Sequence, residues 1–321
     1  MPRLRFYQSA TGVDEPGARP TRKTERMLAV ALWFLGGAVA ARVAPPTRDL
    51  ARWLNLWVIN IALPSLILAK LPGVSMGHGT LVPVAVAWCS IAVGVAAVLA
   101  MSRRFGWSPG VTGAMLLVVP LGNTSFLGFP VIEAILGHDA VANALPFDQL
   151  GSFLGVATWG SFVAGRYGGG RRGWRPIVRR LLTFTPFLAL LASLPLRVWS
   201  LPAGLHDPLL SLGKTVAPVA LVSLGLRFRI GNASDHRPVI VSGLAVKMVL
   251  LPALTFAAAL AIGDLSAMEW KVSLMETAMP PMVTAGVVGI AAGLDEELIS
   301  SFVGIGTLLG LLVMTVVSFV V

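Results

Sequence analysis

Val119-Pro120-Leu121-Gly122-Asn123-Thr124-Ser125-Phe126-Leu127-Gly128-Phe129-Pro130 sits inside an apolar run covering about residues 109–137. Each proline removes a backbone donor and frees a carbonyl, and three consecutive polar side chains follow the first of them. Hydrocarbon offers no partner for such groups. A break of this kind survives in a membrane only where it lines a cavity or is repaired by other protein groups. The stretch Glu276-Thr277-Ala278-Met279-Pro280-Pro281-Met282-Val283-Thr284 repeats the arrangement in the other half of the chain. Two broken helices in corresponding positions of two halves point to a transporter binding site, with kinked packing helices as the plainer alternative.

The composition supports a membrane setting. Of 321 residues, 55% are hydrophobic and only 12% charged, against about 25% charged in a soluble domain. The mean hydropathy is +0.79. One cysteine, Cys89, excludes an intrachain disulfide and a thiolate metal cluster. The net charge of +10 lies in short clusters between apolar runs, so no nucleic-acid partner is expected. Four histidines (His78, His138, His206 and His236) share no metal-ligand spacing, and no Walker A, G-x-S-x-G or H-E-x-x-H pattern occurs. No cofactor is expected.

A spanning helix needs about 20 apolar residues. Ten runs qualify, near 27–44, 50–69, 80–101, 109–137, 143–165, 181–200, 208–226, 238–262, 270–293 and 297–321. Loops 1–2, 3–4, 5–6 and 7–8 together carry fourteen arginines, whereas the alternate loops carry Lys70, Arg197 and Lys271. The positive-inside rule therefore puts the rich loops in the cytoplasm and both termini outside, in a multi-pass protein of the cytoplasmic membrane. Residues 1–26 read as a disordered basic tail, 27–167 as a first five-helix repeat, 168–180 as a basic cytoplasmic loop and 181–321 as a second repeat. An odd number of spans per repeat inverts the second copy. The expected fold is an all-α integral membrane protein with ten transmembrane helices, in which the broken fourth and ninth cross at the substrate site.

The segment Gly122–Pro130 resembles the G-N-T-x-x-x-G-x-P signature of the auxin efflux carrier family. Leu54-Asn55 with Ala62-Leu63-Pro64, Ala217-Pro218 with Leu224-Gly225, and Ala278-Met279-Pro280 resemble other segments of that family in the same order. The resemblance covers about residue 27 to the end. It implies a carrier of small organic anions such as carboxylates, working by alternating access, with Asn123 at the substrate. It also implies unwound segments that cross at their prolines. On this reading the substrate-binding residues are Asn123, Thr124, Ser125, Met279 and Thr284, and the crossover is built by Gly122, Gly128, Pro130, Pro280 and Pro281. Helix N-termini at the breaks suit a carboxylate on physical grounds as well.

Glu276 reads as the only acid deep in a span and Lys247 as the deepest base. An intramembrane charge is a functional candidate by default. Glu276 is read as an ion-coupling residue for H⁺ or Na⁺, with a pairing to Lys247 or a shallower position left open. Glu276-Thr277-Ala278-Met279 is similar to a segment of the bile acid:sodium symporters, more distant relatives, but prolines stand where those have polar side chains. The alternatives are a sodium-coupled symporter of that type or, in another class, an intramembrane enzyme or non-transporting receptor. One glutamate and one lysine are too few for an enzyme's acid–base set. The implied partners are the organic anion and the lipid bilayer, with a homodimer left open. Gly306-x-x-x-Gly310 and Gly289-x-x-x-Gly293 read as packing faces.

Overall fold

The computed structural model describes residues 20–43, 47–73, 77–168, 182–199, 201–202, 204–229, 231 and 236–321. Among these residues the regular structure is helical and no strand forms. Six helices are long and apolar enough to cross a membrane. In chain order the elements are α1 (Pro20–Val43), α2 (Asp49–Gly73), α3 (His78–Phe105), α4 (Pro109–Val118), α5 (Thr124–Leu136), α6 (four consecutive pieces from Val141–Pro146 to Ser161–Tyr167), α7 (Thr185–Ser193), α8 (His206–Leu226), α9 (Arg237–Ile262), α10 (Met268–Thr277), α11 (Val283–Ala291) and α12 (Glu296–Val317). α1 begins at Pro20, inside the stretch read as a disordered tail. Most of that tail, and all of the basic loop 168–180 beyond Gly168, lie outside the described residues.

Local chemistry sets the helix ends. Ser108 accepts from the Val111 amide in front of Pro109, starting α4. Asp295 caps the Leu298 amide, and Glu296 and Glu297 follow in the first turn of α12, where the helix dipole favours acids. Gly106, Gly137 and Gly293 close α3, α5 and the turn after α11 with positive φ of 64°, 94° and 77°. That turn separates Gly289 from Gly293. Only Gly289 packs, against Ile299 and Leu117, while Gly293 meets nothing.

Packing follows small residues, as lipid provides no hydrophobic force between helices. α1 crosses the second half of α8 where Gly37 meets the Val222 carbonyl and Gly225 meets that of Phe34. Gly306 and Gly310 of α12 receive the rings of Pro281 and Pro280. One apolar core joins α1, α2, α5, α6, α7, α8, α10 and the end of α12, and a second joins α3, α4, α6, α9, α11 and the first half of α12. Leu28, Leu32, Leu35 and Val39 leave an outer face of α1 exposed, and Leu312 and Val316 do the same on α12. Contiguous apolar surface of this extent belongs against lipid.

Candidate substrate site

Between α4 and α5 the helix is lost over residues 119–123, and between α10 and α11 over 278–282. The two unwound strands meet antiparallel. The Asn123 amide donates to the Pro280 carbonyl at 2.8 Å and the Met282 amide to the Leu121 carbonyl at 2.9 Å, framing a bridge between Gly122 and Pro281. Each broken helix thus satisfies groups that the other exposes, as an apolar interior demands.

Carbonyls freed inside the flanking helices find other partners. Pro120 cannot donate to Leu116, and Trp159 Nε1 donates to that carbonyl at 2.9 Å instead. Pro281 cannot donate to Thr277, and the Lys247 ammonium lies 3.5 Å from the Thr277 oxygen. Lys247 is only 2% exposed, so its ammonium does not reach an interface. Its ammonium lies against Gly122, where a Cβ would stand 3.1 Å away.

Glu276 is fully buried, and neither carboxylate oxygen has a hydrogen-bond partner. It packs on Gly128, where an added Cβ would stand 2.6 Å from Oε2. The charged groups that act on it are Asp148, which repels it, and Lys247, which attracts it, but no ion pair within 4.0 Å joins it to Lys247. Asp148 corrects the reading of Glu276 as the only deep acid. It is 2% exposed and accepts from Thr124 Oγ1 at 2.5 Å, Ser125 Oγ at 2.5 Å and Gln149 Nε2 at 2.7 Å. The sequence signal was an adjacent Asp148-Gln149 pair within an apolar run. Its position near the start of that run made it look like a span end.

A cavity of about 140 Å³ lies beside the crossing, walled by residues of α2, α5 and α6, by Phe184 just before α7, and by Met282 and Thr284. Asn123, Thr124, Ser125, Thr284 and Asp148 all line it. Asn123 Nδ2 is buried with no hydrogen-bond partner. The N-termini of α5 and α11 start at this cavity, so both half-helix dipoles present their positive ends to it.

The sequence matches the model of the membrane transport protein family over residues 24–169 and 178–318. A protein named an uncharacterized transporter from Methanothermobacter thermautotrophicus is 31% identical over 296 residues, covering 90% of this chain and 95% of the relative. Another uncharacterized transporter, from Methanocaldococcus jannaschii, is 29% identical over 275 residues, covering 82% of this chain and 87% of that protein. The chain belongs to the membrane transport protein family. This is the auxin efflux carrier family that the G-N-T segment resembles, and the protein is a multi-pass membrane transporter.

Within this transporter the residues singled out from sequence separate into groups. Asn123, Thr124, Ser125 and Thr284 share the cavity. Met279 does not reach it; it is wholly buried in the core beside Gly122, and Met282 takes the place at the cavity wall. Gly122, Pro280 and Pro281 form the crossing itself, and Gly128 lies against Glu276. Pro130 lines a different recess, with Arg26, Glu133 and His138. The Thr124 and Ser125 hydroxyl protons are directed to Asp148, which leaves the Asn123 side-chain Nδ2 as an unoccupied donor.

Proposed function

We propose that this transporter moves a small organic anion, a carboxylate, across the cytoplasmic membrane by alternating access. On this reading it has ten spans in two inverted five-helix repeats, with both termini outside and the substrate at the crossing. The observation that carries the reading is the unpartnered Asn123 Nδ2 in a cavity faced by two helix N-termini. A buried amide donor without an acceptor is costly, and a carboxylate supplies the acceptor. The antiparallel exchange between residues 121–123 and 280–282 supports the inverted relation, because oppositely directed broken helices cross in this manner.

The same cavity holds Asp148, with Glu276 and Lys247 behind the crossing. An anion passing two carboxylates and one ammonium needs a compensating positive charge, since uncompensated charge in hydrocarbon is expensive. A proton is the coupling ion on this reading, with Glu276 as its carrier. Pro280 and Pro281 stand where the sodium-binding relatives have polar side chains, which favours the proton over Na⁺ on this reading.

Uptake into proteoliposomes of a labelled mono- and dicarboxylate panel tests the reading. We expect saturable uptake of one class of carboxylate, increased by a pH gradient and indifferent to Na⁺. Uptake of cationic or neutral compounds only would sink the anion assignment. Strict Na⁺ dependence would transfer the protein to the sodium-coupled alternative.

A further inference from the structure

On a face of α11 other than the one that carries Thr284, an apolar recess of about 190 Å³ opens between α11, α12 and the end of α8. Arg227 and Arg229 stand at its mouth, while Gly286, Val287, Ser300 and Thr307 are among its walls. Neither guanidinium takes part in any ion pair or hydrogen bond among the described residues. From Ser300 to Thr307 the α12 wall runs about 10 Å along the helix, from the end that carries the arginines toward the middle of the span. Val287 is 53% exposed, so the recess also opens sideways, where hydrocarbon surrounds the protein.

We infer that this recess is a binding site for an anionic phospholipid, with the phosphate on Arg227 and Arg229 and one acyl chain against Val287 and α12. Charge complementarity selects the head: two guanidiniums present forked donors that match phosphate oxygens. The apolar walls and lateral opening select a chain-bearing ligand over a free anion. Both arginines belong to loop 7–8, whose charge bias assigns it to the cytoplasmic leaflet, where anionic lipids concentrate. The site backs onto the half-helix that bears the substrate cavity's Thr284. A lipid seated there therefore steadies α11 in one position and biases which side of the carrier is open.

Native mass spectrometry of the full-length protein, titrated with dioleoyl phosphatidylglycerol or phosphatidylcholine, provides the test. Phosphatidylglycerol binds the wild type preferentially, and Arg227→Gln with Arg229→Gln weakens that binding by about tenfold or more. Val287→Trp, which fills the side opening and keeps both arginines, also lowers it. Arg227→Lys with Arg229→Lys retains part of it, guarding against a misfolded double variant. Arg103→Gln with Arg104→Gln, at another basic loop, leaves it unchanged. Equal binding of both lipids, or unchanged binding in the double Gln variant, overturns the proposal. Full displacement of phosphatidylglycerol by millimolar inorganic phosphate also overturns it, in favour of a small-anion site.

Discussion

Pro120 and Pro281 each strand a carbonyl, and Trp159 and Lys247 answer them from elsewhere in the chain. The need for repair is legible in the sequence, because a mid-span proline always creates it. Which residue repairs it depends on the packing of distant helices, and nothing local encodes that. Asp148 was missed for a related reason: its meaning comes from Thr124 and Ser125, more than twenty positions away. Asn123 was legible as a polar residue of the break, and its place in the cavity sharpens the expectation. Asn123→Ala removes the unoccupied side-chain amide donor in the cavity, so on the proposed reading carboxylate affinity falls by about 1.5–3 kcal/mol, the range for a hydrogen bond to a charged group. Equilibrium binding of the transported carboxylate measures this, with gel-filtration behaviour unchanged. Glu276→Gln mimics the protonated acid in the same volume. Counterflow exchange persists in that variant while accumulation against a gradient is lost; retained accumulation would remove Glu276 from coupling.

At the scale of elements, hydropathy located the apolar runs well, and helical segments occupy each of them. Among the described residues only six form helices long and apolar enough to span by length and composition. Two of the others are split by unwound interiors, between α4 and α5 and between α10 and α11, whereas α6 stays helical from 141 to 167. Composition cannot separate a kinked helix from an unwound one, since both carry proline; the antiparallel partner decides, and it lies some 160 residues away. The α12 glycines fared better as a reading, because close approach demands a missing side chain whatever the partner. Here the partners are the crossover prolines themselves. A Cβ at Gly310 would stand 2.8 Å from the Pro280 ring, within a wall that is otherwise filled. Gly310→Leu therefore pushes on the unwound strand, with an overpacking cost of about 1–3 kcal/mol. We expect a lower melting temperature in detergent and loss of transport. A variant with wild-type stability and transport would show that α12 does not brace the crossing.

Over the whole molecule, the distribution of arginine is the least local feature and yet the most readable. Fourteen of them fall in four alternate loops, and this holds wherever the helices pack. Part of the pattern lies in loop 5–6, beyond the described residues, so the orientation rests on charge and on no packing contact. Chemistry at the surface gives the measurement. Asp139 lies in loop 4–5, pairs with Lys70 at 3.1 Å and has a fully exposed side chain. Gly169 begins the run that carries most of the loop 5–6 arginines. Cys89, the single native thiol, is exposed and must first be replaced, for example by Cys89→Ser. In that background Asp139→Cys labels with a membrane-impermeant maleimide in intact cells, whereas Gly169→Cys labels only after the membrane is opened. The reverse pattern would invert the carrier, place the Arg227 and Arg229 recess in the outer leaflet, and leave the crossing unchanged. Labelling of both sites in intact cells would mean that the two loops share a side, which no odd number of spans between them allows. Charge and crossing geometry are thus separable, and this experiment tests the first without the second.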